Sequence, residues 1–234
     1  MRKLTVALLA TTSLGFASIA FAADLPARQS YKAAPPVEFA PAFSWTGFYA
    51  GVNAGWGWTS GSGTITIGGA SGPTSGSGNG FLGGGQIGYN WQTGAFVYGL
   101  EADFQGSTGS GSANATAGAT VVTATAKDPW FGTFRGRLGY AFDRSLLYIT
   151  GGAVYGESTL SGTVNTTGAF DSSATYWTWT AGAGYEAMLW DRWSGKIEYL
   201  YIGNPSNVPV PPGTTAISGS AHSHILRVGL NYHF

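Results

Sequence analysis

The sequence predicts an all-β fold: an eight-stranded antiparallel up-and-down barrel that crosses a lipid bilayer. Three observations predict it. Charged residues make up 9% of the 234-residue chain, while aromatics reach 15% and glycine numbers 38, far from the ~25% charge of soluble domains. Past the N-terminus, no apolar run approaches the ~20 residues that a spanning helix needs. Apolar and small polar residues alternate with period two in one segment after another, as strands do when they face lipid outside and a filled lumen inside.

The chain starts with Arg2 and Lys3, followed by an apolar run from Leu4 to Ala20 and the small-x-small site Ala20-Phe21-Ala22. Residues 1–22 therefore read as a secretory signal peptide, with the mature chain starting at Ala23. Residues 23–44 hold Pro26, Pro35, Pro36 and Pro41 without periodicity. Proline fixes φ and donates no hydrogen bond, so this stretch reads as an extended periplasmic arm. The barrel is expected over 45–234.

Eight alternating segments follow. The first turns Phe48, Ala50, Val52, Ala54, Trp56 and Trp58 outward. The second turns out Phe81, Ile87, Tyr89 and Trp91, with Leu82, Gln86, Gly88 and Asn90 inward. The third puts Phe96, Tyr98, Leu100, Ala102 and Phe104 outside, over inward Glu101, Asp103 and Gln105. The fourth has Trp130, Phe134, Leu138 and Tyr140 outside, and Thr133, Arg135 and Arg137 inside. The fifth, Leu146 to Gly156, alternates poorly; Leu147, Ile149, Ala153 and Tyr155 are assigned outward. The sixth sends Trp177, Trp179, Ala181, Ala183, Tyr185 and Leu189 out, and Thr178, Thr180 and Glu186 in. The seventh has Trp193, Ile197, Tyr199 and Tyr201 outside, with Lys196 and Glu198 inside. The eighth places His224, Leu226, Val228, Leu230, Tyr232 and Phe234 outside, and Ile225, Arg227, Gly229, Asn231 and His233 inside. It is expected to close the barrel by pairing with the first segment near Trp45–Trp58.

Connections alternate in length. Gln92–Gly94, Ala141–Arg144 and Trp190–Arg192 are short; Thr59–Asn79, Gly106–Lys127, Glu157–Ala174 and Asn204–Ser220 are long and rich in Gly, Ser, Thr and Asn. This predicts periplasmic turns at one end and four extracellular loops at the other, with both termini periplasmic in the cell outer membrane. Aromatic residues at the segment ends form two girdles, as amphipathic rings do at membrane interfaces.

The leader followed by Ala-Asp-Leu-Pro, the run Trp45-Thr-Gly-Phe-Tyr-Ala-Gly-Val-Asn-Ala-Gly-Trp56, the run Leu147-Tyr-Ile-Thr-Gly-Gly-Ala153 and the C-terminal Arg227-Val-Gly-Leu-Asn-Tyr-His-Phe234 resemble the small outer-membrane barrels of α-proteobacteria, the OmpA-like and opacity-type porin family. The resemblance covers the whole mature chain. It implies an outer-membrane location, no enzyme activity and variable surface loops. It also implies that the C-terminal strand, through Leu230, Tyr232 and Phe234, is read by the outer-membrane assembly machinery. Some relatives are described as porins or haem binders; the matching motifs hold no defined ligand residue.

The inward faces carry Glu101, Asp103, Glu186 and Glu198 against Arg135, Arg137, Lys196 and Arg227. A buried charge without a partner is very costly, so equal numbers on adjacent strands point to a paired network. Eight strands leave room for side chains and little more. A side-chain plug and a narrow ion path gated by these pairs both stay open. His222 and His224 share one strand face, but no cysteine or third ligand accompanies them, so they read as a rim pair without a metal or haem. Ser223 between them lacks an orienting acid, so no catalytic set is assigned. Gly80 to Gly85 lacks the Gly-Lys-Ser/Thr of a phosphate loop and reads as close strand approach. Eleven basic and eleven acidic residues balance; losing Arg2 and Lys3 with the leader leaves nine against eleven, a net charge of −2. No basic stripe supports nucleic-acid binding.

The reading is thus a non-enzymatic outer-membrane protein without cofactor, with a structural and surface-interaction role. Its expected partners are outer-membrane lipid and lipopolysaccharide, the assembly machinery, and a host or surface ligand met through the loops. The alternatives are a small-conductance porin and a haem-binding surface protein.

Overall fold

The computed structural model describes residues 43–234; the leader expected over 1–22 and the arm from 23 to 42 lie outside the described residues. Among the described residues nine strand segments form one antiparallel sheet. They are β1 (Gly47–Ile67), β2 (Ala70–Thr93), β3 (Phe96–Ser107), β4 (Ser110–Ala117), β5 (Thr120–Phe142), β6 (Ser145–Val164), β7 (Gly168–Met188), β8 (Trp193–Ile202) and β9 (Thr214–His233). The ring runs β1-β9-β8-β7-β6-β5-β3-β2 and returns to β1. Closure is made by β1 and β9, in register from Tyr49 opposite His233 to Thr66 opposite Ala216, with a one-residue shift before Ile67 meets Thr214, and Phe234 N donates to Phe48 O at 3.0 Å.

The ninth segment does not add a stave to the wall. β4 lies in line with β3, between the same neighbours β2 and β5. The interruption at Thr108 and Gly109 faces the point where β5 shifts register between Lys127 and Trp130. Pro129 sits at that shift and has no N–H to give to the ladder. One proline bulge therefore splits the third stave, and eight staves hold nine segments.

The alternation assigned in every segment is the alternation found. Phe48, Val52, Phe104, Phe134, Ile149 and Trp179 are all exposed, while Gln86, Glu101, Arg135, Glu186, Arg227 and Asn231 are buried. The ambiguous fifth segment follows suit, with Leu147 and Ile149 outside and Leu146, Tyr148 and Val154 inside. The short turns are tight. Gly94 (φ 60°) and Asp143 (φ 56°) take left-handed conformations, which glycine and aspartate tolerate best in two-residue hairpins. On the outside, Phe104 stacks on Trp130 and Tyr155 packs on Trp177 at the level farther from the short turns, here the outer girdle; Phe48–Tyr89, Phe96–Tyr140 and Trp193–Tyr232 pack at the level nearer them. From Trp130 to Tyr140, ten residues at ~3.3 Å rise and ~40° tilt stand about 25 Å tall, the height of an outer-membrane apolar band.

The expected long loops need correction. Thr59–Asn79, Gly106–Lys127 and Glu157–Ala174 are mostly strand. β1 and β2 stay paired out to Ile67 opposite Ala70, and β6 and β7 to Val164 opposite Gly168. Serine, threonine and glycine carry no apolar period, so the stretches read as loops, yet their backbones complete the ladder. Of the fourth stretch, Asn204–Ser220, only the part before Thr214 is irregular. The wall thus continues beyond the outer girdle for a distance similar to the band itself.

Three apolar layers divide the interior. Trp45, Val97, Ala141, Leu146 and Tyr148, with Phe43 and Met188 against them, fill the end nearest the short turns. Leu82, Phe131, Val154, Tyr176, Leu200, Ile202 and Ile225 lie at the outer girdle. Ile65, Ile67, Val122, Leu160, Val164 and Phe170 pack between the outer hairpins.

A closed ring has no frayed edge from which to unravel. Mature protein taken from outer membranes will therefore migrate faster in detergent gels unboiled than boiled. Recovery in the soluble periplasm, with one mobility under both conditions, would contradict this architecture.

Candidate functional site in the barrel lumen

The eight charges assigned inward from the sequence all lie in one layer between the inner and middle apolar layers, and each is buried. The strand period puts them there. Glu101 and Asp103 are two apart on β3, Arg135 and Arg137 on β5, Lys196 and Glu198 on β8. Arg135 stands opposite Glu101 in the ladder and Arg227 opposite Glu198.

Glu101 is the hub. Arg135 binds its Oε1, Lys196 Nζ lies 3.0 Å from Oε2, and Arg227 and Arg137 stand at 3.6 and 3.8 Å. Arg135 also reaches Asp103 at 2.9 Å and Glu198 at 3.1 Å. Arg227 donates to Glu198 and Asp103 at 2.7 and 2.9 Å. The ladder sets Glu186 opposite Lys196, but its carboxylate takes other partners: Arg137 at 2.7 Å, Ser194 Oγ at 2.5 Å and Asn231 Nδ2 at 2.8 Å. Lys196 instead crosses the lumen to Glu101. Several pairs therefore span the barrel rather than joining adjacent strands, which equal counts on neighbouring segments did not reveal.

Two tyrosines complete the layer. Tyr49 donates to Glu101 at 2.7 Å and accepts from Arg137 at 3.0 Å. Tyr148 donates to Glu198 at 2.9 Å, with the Arg137 guanidinium 4.2 Å from its ring centre. Each ring lies against an inward glycine: a Cβ on Gly88 would come within 2.4 Å of the Tyr49 ring, and one on Gly184 equally close to Tyr148. Neither tyrosine was singled out from sequence. The signal was parity, since each falls in phase with inward residues of its own strand. Gln86 extends the polar layer by accepting from Asn53 at 3.0 Å and donating to Asn231 at 2.5 Å. Among the described residues Asp103 Oδ1 and both ends of the Gln105 amide find no partner, so polar capacity remains at the outer edge of the network.

The other candidate residues lie elsewhere. Leu230, Tyr232 and Phe234 run along the outer face of β9, where Tyr232 packs on Trp193 and Phe234. His222 and His224 lie at the outer girdle: Tyr199 Oη is 2.6 Å from His224 Nδ1, and Ser60 Oγ is 3.3 Å from His222 Nε2. Among the described residues no group of three His, Cys, Asp or Glu could hold a metal ion. Gly84 explains the Gly80–Gly85 run, since a Cβ there would meet Phe104 O at 1.9 Å.

A family model described as an outer membrane protein beta-barrel domain matches residues 9–234. A 31 kDa outer-membrane immunogenic protein of Brucella melitensis is 37% identical over 254 aligned residues, covering 97% of this chain and 98% of the relative. A 25 kDa outer-membrane immunogenic protein of Brucella abortus is 32% identical over 235, covering 100% of both. A 22 kDa outer membrane protein of Rhizobium leguminosarum is 35% identical over 164, covering 69% of this chain and 65% of that one.

Breaking a buried ion pair from one side typically costs about 3–5 kcal/mol. In urea unfolding of the refolded barrel in detergent, Arg135→Met should fall in this range, because it strips a donor from three acids. The double variant with Glu101→Gln should cost less than the two single changes summed, and so should Arg137→Met with Glu186→Gln. Strict additivity in both cycles would rule out pairing across the lumen.

Proposed function

This chain belongs to the outer membrane protein β-barrel family, and from that premise we propose that it acts without catalysis, as a structural and surface-interaction protein of the outer membrane. Its short turns and both termini face the periplasm in this reading, and its long hairpins face outward. The carrying observation is the lumen. Two arginines, a lysine and three acids knit β3, β5, β8 and β9 together across the interior, with an apolar layer on either side. Such a plug stabilises a wall and leaves recognition to the outside. The relatives named as outer-membrane immunogenic proteins support outward-facing hairpins that a host or surface ligand meets. Outer-membrane lipid and lipopolysaccharide then surround the exposed aromatic band, and Leu230, Tyr232 and Phe234 present the strand that the assembly machinery reads.

One observation favours a second reading, a small-conductance pore: the Gln105 amide and Asp103 Oδ1 have no partner among the described residues beside the network, where a polar path would pass. Planar-bilayer recording separates the two. The refolded protein should show no discrete steps in 1 M salt, and steady steps from the unmodified chain would replace the plug with the pore. Removal of Phe234 should lower the amount inserted in the outer membrane while export to the periplasm continues. Unchanged insertion would remove the assembly role given to this strand.

A further inference from the structure

We propose that a chamber beyond the outer girdle is a binding site for a small neutral saccharide. The chamber has a volume of about 550 Å³, a size typical of small-molecule sites. Its floor is the middle apolar layer, which presents Leu82, Phe131 and the Tyr176 ring. Below that floor the charge network fills the lumen, so the chamber ends blind.

The walls come from the outer hairpins and are mixed: Leu160, Ile202 and Ile225 alternate with small polar residues. Thr59, Ser107, Ser158 and Ser223 turn hydroxyls inward, and Asn204 lines the seam. Among the described residues Asp128 is the one carboxylate in the lining, and no lysine or arginine lines the chamber. It sits at the Pro129 bulge, where β5 leaves its register; bulges re-aim side chains in this way. Burial raises its carboxyl above the ordinary carboxylate range, against a hydrogen bond with Ser158.

This chemistry discriminates among ligands. An acyl chain would strip water from Asp128 and the inward hydroxyls without replacing their hydrogen bonds, which is costly. An anion would meet Asp128 with no lysine or arginine among the described residues of the lining to balance it. A saccharide satisfies both surfaces: its C–H faces lie on Tyr176 and Phe131, and its hydroxyls donate to Asp128 and exchange bonds with the serine and threonine hydroxyls.

The wall also has a seam. β8 stops at Ile202, opposite Thr180 on β7 and Ser223 on β9, while both neighbours run on outward. Residues 203–213 fill the gap without forming a strand, held at their start by bonds from 203–207 to both neighbours. Asn204 accepts from Ala221 N at 2.8 Å, and Ser206 Oγ donates to Trp177 O at 2.8 Å. The seam begins at the girdle, so two sources of saccharide reach it: free sugars outside the cell and sugars borne by outer-leaflet lipid.

The test is saturation-transfer NMR on the full mature barrel in a non-glycosidic detergent, with trehalose and methyl glucoside as probes. Transfer to ring C–H protons is expected. Asp128→Asn should weaken binding about tenfold, the usual loss when a hydrogen bond to a charged group goes. Ala126→Phe, which fills the chamber from the inward face of β5, should abolish transfer. Heat-modifiable migration verifies that both variants fold. No transfer from the unmodified barrel to either sugar, transfer in Asp128→Asn and Ala126→Phe equal to that of the unmodified barrel, or tighter binding of inorganic phosphate than of sugar would each overturn the proposal. Repeating the measurement in nanodiscs identifies the source. Loss of the free-sugar signal when lipopolysaccharide is included assigns the chamber to the membrane's own sugars, and an unchanged signal assigns it to free ones.

Discussion

The structure depends on the cost of leaving a charge unpaired inside a narrow cylinder. Glu101 lies within 4 Å of four basic side chains. Around the ring, β3 stands across from β8, and β5 across from β9. Glu101 and Asp103 on β3 thus face Glu198 on β8, while Arg135 on β5 faces Arg227 on β9. Carboxylates lie at both ends of one diameter, bridged by Lys196 of β8, and guanidinium groups lie at both ends of the other, and the two diameters cross. The acids of β3 and β8 then have bases to either side, and the sum of attractions exceeds the repulsion of like charges further off. Backbone ladders join each stave only to its neighbours; this cross joins staves that no ladder connects.

Much of this was legible in the sequence, because a membrane barrel leaves few free choices. Lipid outside and a filled lumen inside impose a strict period of two, and residues such as Phe104, Gln105 and Arg135 declare their faces. Two kinds of information were not legible. Gly61 to Gly78 and Ser107 to Ala119 hold serine, threonine and glycine on both faces, and without an apolar side the period disappears although the ladder persists. The partners of the charges depend on ring closure, a property of the whole sheet that no adjacent pair of segments contains. Glu186 illustrates the difficulty. Its ladder neighbour is Lys196, but its carboxylate is held by Arg137, Ser194 and Asn231.

The layers divide the work of the molecule by height. The inner end is filled with apolar side chains around Trp45, the middle is a polar knot, and the space beyond the outer girdle widens into a chamber walled by small residues. Pro129 links the last two levels. By interrupting the ladder it splits β3 from β4, and it brings Asp128 to the chamber. One residue that cannot donate a hydrogen bond thereby places the chamber's carboxylate.

The crossed diameters also bear on how the wall finds its alignment. Inside and outside faces repeat every two residues, so a strand slipped by one position exposes its polar face and is rejected at once. A slip of two positions restores every face, and lipid contact alone cannot tell it from the correct alignment. The charges can. Moving β3 by two residues against β5 would set Gly99, which has no carboxylate, or the shorter Asp103 where Glu101 now meets Arg135, and Lys196 would lose the carboxylate that now reaches it. The network is in this sense a proofreading device for shear: of many face-compatible alignments it favours the one in which the four acids and four bases of this layer meet.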